Sequence, residues 1–199
     1  MTARIAALIS GRGSNFIAID DACREQRLDA NIELVLSNRA EAAGLLAARE
    51  RGIRTEVIDH REHATRSSFD TAVGSALDSA TVDWVVLAGF MRVLGPELVE
   101  RWSGRMLNIH PSLLPRHPGL DTHARALAAG DTEHGATVHL VTAELDAGPI
   151  IAQTRVPVLP GDDAATLGAR VLSREHALYV DALRQCLRFD DIAPTTQID

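Results

Sequence analysis

Asn108, His110 and Asp146 are the residues of this 199-residue chain whose types and spacing best suit chemistry. Asn108 and His110 stand two apart in the apolar run Met106-Leu107-Asn108-Ile109-His110. Side chains two apart on a strand share a face. An amide and an imidazole therefore project together from a strand end where a buried sheet would place Val, Ile or Leu. Asp146 lies in the turn-like stretch Glu144-Leu145-Asp146-Ala147-Gly148-Pro149, which can return a carboxylate to the imidazole. An amide donor, a titratable acid and a carboxylate favouring the imidazolium are the parts needed to stabilise an oxyanion and move a proton. Each part alone has a plainer reading. A strand histidine more often satisfies a core hydrogen bond, and Asp-x-Gly more often only turns the chain.

A second set stands at the N-terminus, where the apolar run up to Ile9 leads into Ser10-Gly11-Arg12-Gly13-Ser14-Asn15. Glycines let the backbone approach a ligand, Ser14 and Asn15 are expected helix caps, and the first helical N–H groups attract an anion. The loop resembles the start of a dinucleotide fingerprint but lacks its last glycine. Strand two ends in Ser37-Asn38-Arg39, where a dinucleotide binder would carry an acidic residue. NAD is disfavoured. Arg39 suits the extra phosphate of NADP, so an NADP-dependent reductase is the runner-up. A single phosphate on a small substrate makes fewer demands, and a tight turn with no ligand makes none.

These residues need a scaffold, and the first hundred residues supply alternating strand and helix patterns. Strands are expected at 4–9, 32–36, 54–58 and 84–88, and helices at 15–27, 42–51 and 65–79. Such alternation implies parallel, Rossmann-like βαβ units in a sheet covered on both faces. The pattern then changes. A strand at 106–110 precedes a Pro-rich loop at 111–119, a short helix at 122–129, strands at 136–142 and 149–156 forming an antiparallel ribbon, and a long amphipathic helix at 162–189. The expected class is α/β, as one domain over 1–199: a phosphate-binding half (1–100), a second half carrying the chemistry (101–190) and a frayed tail (191–199).

Composition narrows the partners. Charged residues are 24%, hydrophobic residues 46% and the net charge is −7. That acidity argues against nucleic acid bound through its phosphates. No apolar run is long enough to span a bilayer, and no signal-peptide pattern opens the chain. Cys23 and Cys186 form no metal-ligand spacing, so a cytoplasmic location is the default. All 20 basic residues are Arg. Without Lys, a Walker-type phosphate loop and a Schiff-base enzyme are both disfavoured. Small-molecule substrates are expected, with no nucleic acid, membrane or metal. Apolar helix faces left over from sheet coverage allow a homodimer.

Four blocks then carry a resemblance: 10–15, Leu87-Ala88-Gly89-Phe90-Met91-Arg92, Asn108 through Pro115, and Glu133-His134-Gly135 with Leu145 through Pro149. In order and in spacing they resemble the phosphoribosylglycinamide formyltransferase family, the folate-dependent formyl transferases of purine biosynthesis. The resemblance implies the formyltransferase fold. It also implies transfer of a formyl group from 10-formyltetrahydrofolate, a co-substrate, to the amino group of glycinamide ribonucleotide, with neither metal nor nicotinamide. His110 would be the general acid, Asp146 would tune it and Asn108 would stabilise the oxyanion. Gly13, Ser14 and Asn15 would hold the substrate phosphate, and Glu175 would contact its ribose. Arg66, Met91, Arg92, Val93 and Leu94 would face the folate with Asn108. Thr142, Ala143, Glu144 and Leu145 would wrap its pterin. The resemblance further suggests a cis Leu114-Pro115 bond. His139, on one strand face with Thr137 and Val141, is either turned to the site or structural. The remaining histidines read mostly as loop or surface residues. Alternatives within the superfamily are a methionyl-tRNA formyltransferase, which adds a basic C-terminal domain, and a deformylase, which adds an N-terminal domain. Outside it stands a phosphate-ligand binder without turnover.

Overall fold

A computed structural model describes residues 2–190. The expected tail at 191–199 lies outside the described residues. Five parallel strands come first: β1 (Ala3–Ile9), β2 (Ala30–Ser37), β3 (Arg54–Val57), β4 (Trp84–Leu87) and β5 (Met106–His110). β6 (Glu133–Leu140) and β7 (Ile150–Pro157) continue the sheet antiparallel. The order is β3-β2-β1-β4-β5-β6-β7. The helices are α1 (Ser14–Arg24), α2 (Ala43–Glu50), α3 (Arg66–Ala80), α4 (Pro96–Arg101), α5 (Thr122–Ala128) and α6 (Ala164–Asp190).

β1 shows why helices cover both faces. Its odd residues Ile5, Ala7 and Ile9 join Phe16, Ile19, Tyr179 and Leu183 in one core, under α1 and α6. Its even residues Ala6 and Leu8 join Phe69, Val73, Leu77 and Trp102 in a second core, under α3 and α4. With period-two alternation, a strand apolar on both sides can be buried only between two layers. Burying each Ile, Leu or Phe fully is worth roughly 1.5–3 kcal/mol, so the alternation holds the strand in register.

The chain order reverses between β1 and β4, because β2 pairs with one edge of β1 and β4 with the other. Open parallel sheets bind ligands at such a switch point, beyond the carboxyl ends of the strands. The loops after β1, β4 and β5 all emerge there.

Three local expectations need correction. α4, opened by Pro96 at its first turn, was not among the expected elements. At six residues it is too short for a periodic signal. β6 begins at Glu133 rather than Ala136, because Glu133, His134 and Gly135 pair with Pro157, Val156 and Arg155. α1 begins at Ser14 with Gly13 as its cap, so neither Ser14 nor Asn15 takes that role. Gly13 has φ 71, and a Cβ there would stand 2.5 Å from Phe16 Cδ1, so only glycine fits.

Candidate active site

β5 places Asn108 and His110 on one face, as their spacing requires. The antiparallel register sets His139 opposite Asn108 and Thr137 opposite His110. Asn108 Nδ2 lies 3.2 Å from His139 Nε2, and His139 Nδ1 lies 2.9 Å from the Leu140 carbonyl. A carbonyl only accepts, so Nδ1 carries the ring proton. Burial pushes the His139 pKa down, against the opposing pull of Leu140 and Asp146. The ring is therefore neutral, and its Nε2 lone pair accepts one proton of the Asn108 amide. The second amide proton stays free. His139 is both buried and turned to the site, which resolves the two readings in favour of both.

Asp146 reaches this pair from the β6–β7 connection, with φ 52. Asp tolerates that left-handed backbone better than most residues. Its Oδ2 lies 3.4 Å from His110 Nδ1 and its Oδ1 lies 3.7 Å from His139 Nε2. The Gly119 N–H donates to Oδ2 at 2.8 Å. His110 Nε2 donates to the His117 carbonyl at 2.9 Å. His110 is 6% exposed.

The loop between β5 and α5 supplies two of these contacts, and sequence reasoning missed its anchors. The Thr137 hydroxyl donates to the Ser112 carbonyl at 2.7 Å and accepts from the Leu114 N–H at 3.1 Å. Leu114-Pro115 is cis. Asp131 takes Arg116 on one oxygen and His117 Nε2 on the other, each at 2.7 Å. His134, read from sequence as a loop or surface residue, is 1% exposed and 3.0 Å from His123 Nδ1. Burial lowers its pKa to about 4. It belongs to β6, and the displaced strand start is why it was misread. The available signal was the loop itself: a stretch with Pro111, Pro115 and Pro118 has few N–H groups of its own and needs outside partners.

On the other side of the switch point, the Gly13-Ser14-Asn15 turn presents the unpaired N–H groups of the first turn of α1. Asn15 Nδ2 donates to Glu175 Oε2 at 2.8 Å, bringing these two expected site residues together. Asn15 Oδ1 is buried without a protein partner. Burial raises the Glu175 pKa, and Glu175 lies within electrostatic range of His110. Glu175 thus stands between Asn15 of α1 and the surroundings of His110.

The residues expected on the folate side divide. Met91 and Val93 are 62% and 49% exposed, Arg92 is half-buried and Leu94 packs into the second core. β4 exits beside Asn108, through the Leu87–Asn108 pair. Arg66 opens α3 and is not brought against Asn108, but a Cβ on Gly95 would stand 3.8 Å from Arg66 Cδ, so it flanks the same segment. Thr142, Ala143, Glu144 and Leu145 are exposed, with the Thr142 hydroxyl donating to the Glu144 carbonyl at 3.2 Å. Among the described residues no group of three or more His, Cys, Asp or Glu side chains is placed to hold a metal ion.

The fold and a family match together define a formyl transferase: the family model described as formyl transferase matches residues 3–183. A phosphoribosylglycinamide formyltransferase of Escherichia coli (strain K12) is 49% identical over 175 residues, covering 88% of this chain and 82% of that protein. The crystal structure of glycinamide ribonucleotide transformylase 1 from Symbiobacterium toebii matches with a TM-score of 0.90 at 45% identity, covering 92% of this chain and 86% of that one. The Homo sapiens trifunctional purine biosynthetic protein adenosine-3 is 48% identical over 182 residues, covering 92% of this chain and 18% of that longer protein. The chain belongs to the phosphoribosylglycinamide formyltransferase family and is a transferase enzyme. No helix among the described residues is long and apolar enough to cross a membrane.

Proposed function

We propose that this enzyme transfers the formyl group of 10-formyltetrahydrofolate to the amino group of glycinamide ribonucleotide, as a cytoplasmic step of purine biosynthesis. The observation that carries this reading is the convergence of Asn108, His110 and Asp146 at the carboxyl end of β5, with Glu175, which Asn15 holds, in electrostatic range of His110.

The substrate amine is the nucleophile, so the protein need not provide one. Its attack on the formyl carbon gives a tetrahedral intermediate bearing an oxyanion. Asn108 meets that oxygen with the amide proton His139 leaves free. The nitrogen that attacked gives up a proton, which returns to the imidazole, and the folate nitrogen that leaves gains one from it. His110 supplies the latter from Nδ1, because its Nε2 proton is committed to the His117 carbonyl. Asp146 faces Nδ1 at 3.4 Å, close enough to stabilise imidazolium and too long to sequester the proton. The products are the formylated ribonucleotide and tetrahydrofolate.

Gly13, Ser14 and Asn15 hold the phosphate through backbone N–H groups, and Glu175 takes the ribose. The exposed apolar Met91 and Val93 form one wall for the flat heterocycle, the 142–145 loop forms another, and Arg66 with Arg92 provides positive charge for the folate's carboxylates. A spectrophotometric assay with 10-formyl-5,8-dideazafolate as donor tests the reading. Turnover that requires glycinamide ribonucleotide is expected. Turnover without acceptor would make the enzyme a deformylase, and none in either case would sink the proposal.

A further inference from the structure

Ser10 directly follows β1 at the switch point, and its hydroxyl joins two walls of the site. The single hydroxyl proton goes to Asn38 Oδ1 at 2.5 Å, leaving the oxygen lone pairs to accept the Met91 N–H at 2.7 Å. These directions are forced: the backbone N–H can only donate and the amide oxygen only accept. Ser10 and Asn38 are 7% and 1% exposed, so water does not easily replace either partner. Asn38 is also held from its far end, with Nδ2 3.2 Å from His60 Nδ1. The Ser10 main chain grips the same turn again, its N–H donating to the Gly89 carbonyl at 3.1 Å. At the other end of that segment, the Gly95 N–H donates to Asp70 Oδ2 at 2.8 Å. Met91–Leu94 is therefore clamped at both ends while Met91 and Val93 stay exposed between the clamps.

On its other side Ser10 leads straight into the Gly11–Asn15 loop, which the Gly44 N–H pins through the Gly11 carbonyl at 3.0 Å. One buried hydroxyl thus connects the anion loop to the apolar segment across the sheet. We propose that Ser10, oriented by Asn38, is a positioning residue that sets the folate-facing Met91–Leu94 segment and links its placement to occupancy of the phosphate loop. The proposal rests on the formyl-transfer reading above for the identity of the two ligands. An anion drawn onto the α1 N-terminus shifts or stiffens the end of β1, and the hydroxyl passes that change to Met91.

The test measures the dissociation constant of 10-formyl-5,8-dideazafolate by tryptophan fluorescence, with and without saturating glycinamide ribonucleotide. Wild type is compared with Ser10→Ala, Ser10→Thr and Asn38→Ala, and steady-state kinetics are run alongside. Wild type is expected to bind the analogue more tightly when the ribonucleotide is present. Ser10→Ala is expected to weaken analogue binding about tenfold, the scale of one lost hydrogen bond to a buried group, and to abolish the ribonucleotide's effect. Its kcat at saturation should change far less, and its KM for the ribonucleotide at saturating donor should rise only by the lost coupling factor. Ser10→Thr, which keeps the hydroxyl, should restore the coupling, and Asn38→Ala, which frees the hydroxyl to rotate, should weaken binding by a smaller factor. Unchanged analogue affinity in Ser10→Ala would overturn the proposal, as would equal losses in both substrates' KM and in kcat. If Ser10→Ala fails to fold by circular dichroism, Asn38→Ala decides by the same criteria. A wild type that binds the analogue without transferring formyl fails the functional reading instead.

Discussion

Asn108 has two amide protons, and the neutral ring of His139 spends only one of them. That division makes the amide a directed donor rather than a free rotor. Asn108→Ala should lower kcat by ~10²–10³, the cost of one oxyanion donor, with substrate dissociation constants within a few fold. His139→Ala should lower kcat less. The double variant should be no slower than Asn108→Ala alone, because the two residues act as one unit; additive losses would refute that coupling. Asp146→Asn keeps the shape and an acceptor for the Gly119 N–H but removes the charge facing His110. Its kcat should fall by on the order of 10²-fold or more, the range of general acid catalysis. At this scale the shared face of Asn108 and His110 was legible in the sequence, because strand periodicity alone requires it. The partner that fixes the amide was not, because His139 meets Asn108 only through the β5–β6 register.

At the scale of elements, the site depends on how α6 and the β5–α5 loop dock. Tyr179 of α6 is fully buried, and its hydroxyl reaches the Leu87 carbonyl at 3.2 Å and the Leu107 carbonyl at 3.0 Å. It anchors the helix that carries Glu175 to the ends of β4 and β5. Burial holds the phenol's pKa well above its ordinary value, so it remains a donor throughout the working range. Tyr179→Phe removes this bridge. Thermal unfolding should report a loss of about 1–2 kcal/mol, or roughly 2–8 °C in Tm for a chain of this size. An unchanged Tm would show that apolar packing alone holds α6. The long helix itself was legible from its amphipathic period. The Tyr179 bridge and the Thr137 clamp on the Ser112–Leu114 loop were not, because each joins residues far apart in the chain.

For the whole molecule, pH acts through buried imidazoles. His134 has its pKa lowered to about 4 by burial, and burial also lowers His123 and His139. A lowered folded-state value means that the unfolded chain binds more protons between pH ~6.5 and ~4. The stability these neutral rings contribute is complete above ~6.5 and is lost as pH falls towards ~4, by an amount on the order of a few kcal/mol for His134. Glu175 and Asp70, raised by burial, oppose this trend, since their protonation favours the folded state. Denaturant unfolding from pH 7 to pH 4 should therefore show decreasing stability, and His134→Gln should flatten the slope. A slope equal to that of wild type would exclude His134 as its source.

The chain by itself determined the α/β class, a mostly parallel sheet and the shared face of Asn108 and His110. These follow from periodicities of two and 3.6 residues, which are local. Tertiary structure alone decided that Asp146 stands between two imidazoles, that Asn15 meets Glu175 and that Ser10 meets Met91. It also placed His134 in the interior. Those contacts depend on strand order, register and loop closure, and no local pattern encodes which distant segment will be the neighbour.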